Sequence, residues 1–173
     1  PFKTLYLLHG VMGNYTDWVT GTCIKRWAEE KNLAVVMPSG ANMFYMDHPD
    51  ANEYYSEFIG KELVKITRRM FPLSHKKEDT FIAGLSMGGY GAIRNGLKYH
   101  DTFGYIAGLS SAMILEKMNV ADDSSPMFFE RKSFLESVFG DLSKISDCEI
   151  NPEWLARDMK EKGIPFPHLY LAC

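Results

Sequence analysis

Cysteine is scarce in this 173-residue sequence. Cys23, Cys148 and Cys173 are odd in number and far apart, with no CxxC pair and no His/Cys cluster at metal-ligand spacing. That excludes a disulfide-stapled scaffold and a zinc module, and it is the pattern of reduced thiols. An excess of charge is lacking as well: 19 Lys and Arg face 22 Asp and Glu, for a net charge of −3. A nucleic-acid binder normally carries a basic patch and a high isoelectric point, so no nucleic-acid partner is expected. No apolar stretch approaches the ~20 residues of a membrane span, and no membrane partner is expected. The start lacks the basic and then apolar segments of a secretory leader. The thiols therefore point to a cytoplasmic location, with secretion left open because the sequence starts at Pro1 rather than Met.

Apolar residues are plentiful, at 46% of the chain, and aromatic residues reach 13%. At about 150 residues per domain the length corresponds to one domain, and a chain this size buries roughly 70% of its unfolded surface. Short apolar runs alternate with helical patterns. The runs are Leu5–Leu8, Leu33–Met37, Phe81–Leu85, Tyr105–Leu109 and His168–Ala172. Between them, helices are predicted over 21–31, 55–70, 87–99 and 151–163. The last of these has Asn151 as N-cap, Pro152 in its first turn and Gly163 at its end. Strands that are apolar throughout, separated by helices, predict an α/β fold: a three-layer sandwich with a mainly parallel sheet covered on both faces. Functional loops then gather at the carboxyl ends of the strands. The strand 81–85 is expected at the centre, between 5–8 and 105–109. The stretch 111–150 carries helical pieces, many Met and Phe and no strand, and reads as a cap-like excursion over that edge.

The chemistry is concentrated in Gly84-Leu85-Ser86-Met87-Gly88, a G-x-S-x-G set between a strand and a helix. That setting is what a nucleophile elbow requires: a strained turn lifts the serine hydroxyl clear of the sheet. A phosphate-cradling loop is excluded, because neither G-x-G-x-x-G nor G-x-x-x-x-G-K-[ST] can be read there. A serine that attacks a carbonyl needs two donors aimed at the developing oxyanion. The Met87 amide, next after the serine, is one. The Val11 amide, in the loop His9-Gly10-Val11-Met12-Gly13 that follows the first strand, is the expected second. His9 reads as the residue that holds this loop rather than as a base.

Four segments taken together resemble a known family. L-Y-L-L-H-G-V-M-G-N at 5–14, V-V-M-P-S-G at 35–40, E-Y-Y-S-E-F-I-G-K-E-L at 53–63 and A-G-L-S-M-G-G-Y-G-A at 83–92 are similar to the esterase D-like branch of the α/β-hydrolases. The resemblance implies an α/β-hydrolase fold with Ser86 as nucleophile, Val11 and Met87 as oxyanion amides, and no metal or organic cofactor. It implies a small-molecule or carbohydrate ester as substrate: short-chain acyl or aryl esters, acetyl or feruloyl groups on plant polysaccharide, and, ranked last, S-formylglutathione or another thioester. In that family the acid and the base follow the serine in the order Asp, then His. Both are expected beyond Cys173, and two opening strands before Pro1, so the sequence reads as the middle of a longer protein.

With His9 set aside, His48, His75, His100 and His168 remain, and of these only His48 falls in a loop at the functional edge, so it is the one internal candidate for a base and a candidate substrate neighbour. Trp18 and Tyr45 are candidates to line a cleft beside Ser86, where aromatic faces suit sugars, aryl rings or acyl chains. The competing reading is a non-catalytic binding module on a hydrolase fold. An oligomer is left open.

Overall fold

The computed structural model describes residues 1–118 and 120–173. The chain runs through β1 (Lys3–Leu8), α1 (Asp17–Gly21), α2 (Ile24–Glu30) and β2 (Leu33–Val36). It then forms two short antiparallel strands, β3 (Asp47–His48) and β4 (Glu53–Tyr54), followed by α3 (Tyr55–Glu57) and α4 (Leu63–Met70). β5 (Thr80–Leu85), α5 (Met87–Lys98) and β6 (Tyr105–Leu109) come next. The last part contains α6 (Leu115–Met118), α7 (Lys132–Phe139), α8 (Pro152–Glu161) and β7 (His168–Ala172).

The five longer strands form one parallel sheet in the order β2-β1-β5-β6-β7. The serine-bearing strand is central, as its apolar run and its neighbours' loops predict. Register does the rest. Leu8 pairs with Gly84 and Gly84 with Gly108, so β1, β5 and β6 end level. The segments after them, His9–Gly13, Ser86 and Ser110–Ala112, therefore meet at one edge.

α5 is the central helix, and every residue from Met87 to Leu97 is buried. Four glycines in it, Gly88, Gly89, Gly91 and Gly96, each sacrifice helix propensity. Close packing is what they allow: Gly88 and Gly96 against the sheet, Gly89 against Ser111 and Gly91 against the Tyr45 ring. A methyl group on Gly88 would lie 2.6 Å from the His9 carbonyl oxygen and 2.7 Å from the Leu8 carbonyl carbon. Arg94, also in α5, is 1% exposed. Its Nη2–H donates to Glu149 Oε1 at 2.9 Å and its Nε–H to the Glu149 carbonyl at 3.0 Å, which ties the far end of the excursion to the helix.

Several local features differ from the sequence expectation. The helix expected over 21–31 starts only at Ile24, as α2, where the Thr22 hydroxyl accepts the Ile24 N–H at 3.1 Å, and a separate short helix, α1, precedes it across a break at Thr22–Cys23. The helix expected over 55–70 contains a wide π turn at Phe58–Glu62. Gly60 sits in that turn, against the ring of Tyr99, where any side chain would collide with it. Asp47 caps the start of this helix, its Oδ1 accepting from the amides of Ser56 and Glu57 at 2.8 and 3.0 Å. Coverage of the sheet on both faces is incomplete: α5 packs on the centre, but a recess of about 250 Å³ opens along Leu5, Phe81 and Tyr105, and Leu169, Tyr170 and Leu171 of β7, at the end of the strand order, are 52–62% exposed. α8 is capped as expected: the Asn151 side chain accepts the Glu153 N–H at 2.9 Å, and Gly163 closes the segment with φ +66°.

The excursion 111–150 has no strand among its described residues; position 119 within it lies outside them. It is packed onto the core rather than standing off it. Met118, Leu135, Val138, Phe139, Leu142 and Ile145 belong to the same cluster as Tyr6, Leu8 and Ile82. Phe139 meets Phe44 and Tyr90 edge to face, with ring centroids 5.1 and 5.8 Å apart.

The glycines of α5 give a prediction whose sign decides. Replacing glycine by alanine inside a helix ordinarily stabilises by about 1 kcal/mol. Gly88→Ala is expected to destabilise instead, by about 1–3 kcal/mol in urea denaturation, because the added methyl meets strand backbone. Gly21→Ala, at the last residue of α1 where nothing lies within 4 Å, is the control and should be neutral to stabilising. A Gly88→Ala protein as stable as the parent contradicts the packing account.

Candidate active site

Ser86 occupies φ 55°, ψ −115°, a left-handed conformation unusual for a residue with a side chain. Such a conformation costs on the order of 1–3 kcal/mol and persists only where its surroundings impose it. Here the surroundings are backbone hydrogen bonds. The Ser86 N–H donates to the Leu109 carbonyl at 2.9 Å, and the Ser86 carbonyl accepts from Ala112 and Tyr90 amides, each at 3.0 Å. The end of β6 and the segment after it thus hold the turn from one side. Gly84 leaves room for the backbone of Gly88 on the other. The serine side chain is half-buried, and among the described residues its hydroxyl has no hydrogen-bond partner.

Met87 begins α5. Its side chain is fully buried and anchors the turn. Its amide belongs to the first turn, whose N–H groups have no partner within the helix and carry the positive end of the helix dipole.

The loop after β1 reaches the elbow through Gly10: a methyl built there would lie 3.7 Å from Ser86 Cβ and 3.5 Å from the Leu85 carbonyl oxygen. Of the three amides that follow, two are committed. Gly13 N–H donates to the Gly10 carbonyl at 3.1 Å, and Met12 N–H donates to Asn42 Oδ1 at 2.7 Å. The Val11 amide has no acceptor among the described residues. Val11 is therefore the unengaged amide of the loop packed on the elbow, and Met87 is the first of the unengaged amides at the start of α5.

What fixes this loop is the segment 39–45, and sequence reasoning missed its role. His9, 1% exposed, takes part in two of the contacts. The Gly40 amide donates to its Nε2 at 3.0 Å, so Nδ1 carries the proton and donates to the Gly10 carbonyl at 2.7 Å. His9 is a holding residue, as its position at a strand end suggests. The Tyr15 amide donates to Ser39 Oγ at 3.2 Å, and Asn42 holds Met12. Ala41, Phe44 and Tyr45 all have positive φ, so the bracing segment is itself tightly wound. Asn42 is a lone polar residue in a loop, and nothing in the sequence marks it.

Tyr45 must be corrected. It is fully buried, its hydroxyl donates to the His9 carbonyl at 3.1 Å, and burial holds its phenol well above the ordinary value. It supports the loop from beneath instead of lining a cleft, because its ring fills the space that Gly40 and Gly91 leave. Trp18 is half-buried in α1, and its Nε1–H donates to the Leu8 carbonyl at 3.1 Å, so its polar end is used in tying α1 to the end of β1. His48 lies in β3, opposite Glu53, with Nε2 buried and unpartnered. No hydrogen bond joins His48 to Ser86, and among the described residues no histidine bonds the Ser86 hydroxyl. Among the described residues no three His, Cys, Asp or Glu side chains converge as metal ligands, and no helix is long and apolar enough to cross a membrane.

Two recesses are relevant to a substrate. One, of about 410 Å³, is lined by Ser39, Tyr54, Tyr55 and Phe58 with three glutamates at its rim. The other, of about 390 Å³, is formed within the excursion itself, with Ile114, Met118 and Leu135 as its apolar wall.

The brace yields a kinetic prediction for a protein in which Ser86 acts. Loss of an oxyanion donor itself costs about 10²–10³ in kcat. Asn42 touches no reacting atom and acts by positioning, so Asn42→Ala is expected to lower kcat roughly tenfold with KM little changed. Asn42→Asp keeps the acceptor and should retain most of the rate. Unchanged kcat in Asn42→Ala, or a pure KM effect, contradicts the positioning role.

Comparison with known proteins places the chain. The profile of the family described as "Putative esterase" matches residues 1–160. An acetyl esterase of Caldicellulosiruptor saccharolyticus is 45% identical over 173 residues, covering 99% of this chain and 64% of that protein. Two solved structures from Staphylococcus aureus superpose on 99% of the chain and 64% of their own lengths. One is the substrate-bound fluorophosphonate-binding serine hydrolase F, at 32% identity and a TM-score of 0.82. The other is an S-formylglutathione hydrolase, at 34% identity and a TM-score of 0.80. The 173 residues thus span 64% of the length of these relatives. With a parallel sheet centred on the strand before Ser86 and a strained strand-to-helix turn at that residue, the chain belongs to the esterase family of the α/β-hydrolase fold.

Proposed function

We propose that the protein of which these residues are part is a serine carboxylic-ester hydrolase working through an acyl-enzyme on Ser86. The Ser86 hydroxyl attacks the ester carbonyl and gives its proton to a histidine base. The carbonyl oxygen becomes an oxyanion between the amides of Val11 and Met87. Its collapse expels the alcohol, which takes the proton back from the histidine. Water then repeats the sequence on the acyl-enzyme and releases the acid. The base in this reading, with its aspartate, comes from the portion of the relatives' length that these 173 residues do not span. Short acyl esters, acetyl esters first, are the substrate class, on a small alcohol or a carbohydrate. The acetyl esterase at 45% identity supports that choice.

The observation that carries the reading is the unengaged Val11 amide beside a strained Ser86, with the amides on either side committed. Strain held by this many bonds has no use in a passive binding module. A thioester-cleaving reading stays beside the ester one because of the S-formylglutathione hydrolase at 34% identity. The same oxyanion site serves both, and the leaving group alone differs.

In the full-length protein Ser86→Ala should reduce hydrolysis of p-nitrophenyl acetate by about 10³-fold or more, since triad members act as a unit. The thermal transition of the variant should stay close to the parent's. Retention of more than a tenth of the activity in a folded Ser86→Ala protein overturns the assignment. A comparison of S-formylglutathione with p-nitrophenyl acetate by kcat/KM separates the two leaving-group classes.

A further inference from the structure

A second feature of the chain lies away from Ser86. Lys61, Lys65 and Arg69 recur every fourth residue through the π turn and α4. Residues at that spacing share one helix face, and at about 1.5 Å per residue the first and last are some 12 Å apart along the axis. Arg68 and His75 join them around a groove of about 310 Å³ floored by Gly60 and Val64, and no acidic side chain lines it.

The groups there are largely uncompensated. Lys61 pairs with Glu57 at 3.2 Å. Lys65, Arg68, Arg69 and His75 enter no ion pair among the described residues, in a chain whose net charge is −3. Arg68 is held in place: its Nε–H donates to the Ser74 carbonyl at 3.1 Å and its Nη2–H to Thr80 Oγ1 at 2.8 Å. Its Nη1 is left for a ligand. Like charges at this spacing repel one another, so the row costs stability unless an anion lies along it. The groove residues precede β5 and β6 in the chain and sit at the amino ends of those strands, whereas Ser86 follows β5.

We propose that this groove binds a linear oligophosphate. Phosphate groups strung along the helix face would match the row of cations, with the fixed Arg68 guanidinium and the His75 ring gripping from the side. A single phosphate can engage only part of the row, which is why a chain of them is the fitting ligand. Binding at this edge leaves the Ser86 edge open, so the groove tethers the enzyme to phosphate-rich material without altering its turnover.

The test is calorimetric titration of the full-length protein with inorganic tripolyphosphate and with orthophosphate at low salt. Tripolyphosphate should bind at least roughly tenfold more tightly, with an affinity that falls steeply as salt rises. Lys65→Glu/Arg69→Glu should weaken binding by roughly tenfold or more while p-nitrophenyl acetate hydrolysis stays within about twofold of the parent. Lys65→Gln/Arg69→Gln, with no charge reversal, should lie between, and checks against a folding defect. No binding of tripolyphosphate, equal affinity in the folded variants, or preference for a single-stranded oligonucleotide over tripolyphosphate overturns the proposal. A loss of esterase activity in Ser86→Ala leaves this readout untouched, so the two proposals fail separately.

Discussion

The structure depends on holding one serine in a backbone conformation it does not favour. Ser86 stays at φ 55° because the Leu109 carbonyl and the Ala112 and Tyr90 amides engage its backbone from both sides. Those partners are available only because β5 lies between β1 and β6 and ends level with them. The strand order, the glycines that let α5 settle against the strand ends, and the buried face of that helix all serve the same constraint. An antiparallel neighbour or a register shifted by one residue would turn the supporting carbonyl away.

A second layer of dependence concerns the loop beside the serine. Val11 is left unengaged because Met12 and Gly13 are not, and Met12 is engaged by a side chain thirty residues on. That side chain belongs to a segment wound through three positive φ angles and pinned by His9 and Tyr45. Few of these bonds are strong alone, and each net contribution is about 1 kcal/mol. Their value lies in geometry: a donor displaced by an ångström no longer meets a developing charge. The buried Arg94 extends the same logic outward, linking α5 to the end of the excursion through Glu149.

Much of this was legible in the residues, and the reason is physical. Strands inside a parallel sheet are apolar throughout, so β1, β2, β5 and β6 announce themselves as short runs, and parallel connection follows from the helices between them. The elbow was legible because only a few residue types fit a strained strand-to-helix turn. Tyr45 was not, since an aromatic residue in a loop at the functional edge has the same hydrophobicity whether it lines a cleft or fills the core. Asn42 was not, since a side chain bonding to a backbone thirty residues away leaves no local periodicity. The break at Thr22–Cys23 rests on the Thr22 hydroxyl, which bonds the backbone of Trp18 and Ile24, and the π turn at Phe58–Glu62 on the contact of Gly60 with Tyr99, a tertiary contact that local pattern does not carry. Whether aromatic and Met residues of the excursion cover an acyl pocket or only the core also escaped the sequence; the packing of Phe139 on Phe44 and Tyr90 puts a large part of it in the core.

The central claim is that Ser86 carries the acyl group with its oxygen between the amides of Val11 and Met87. A crystal structure of the full-length protein after reaction with a fluorophosphonate tests it most directly. The account predicts a covalent bond from Ser86 Oγ to phosphorus and a phosphonyl oxygen about 3 Å from both amides. An adduct on another residue, or an oxygen bonded by Met12 or Gly13 in place of Val11, would contradict it.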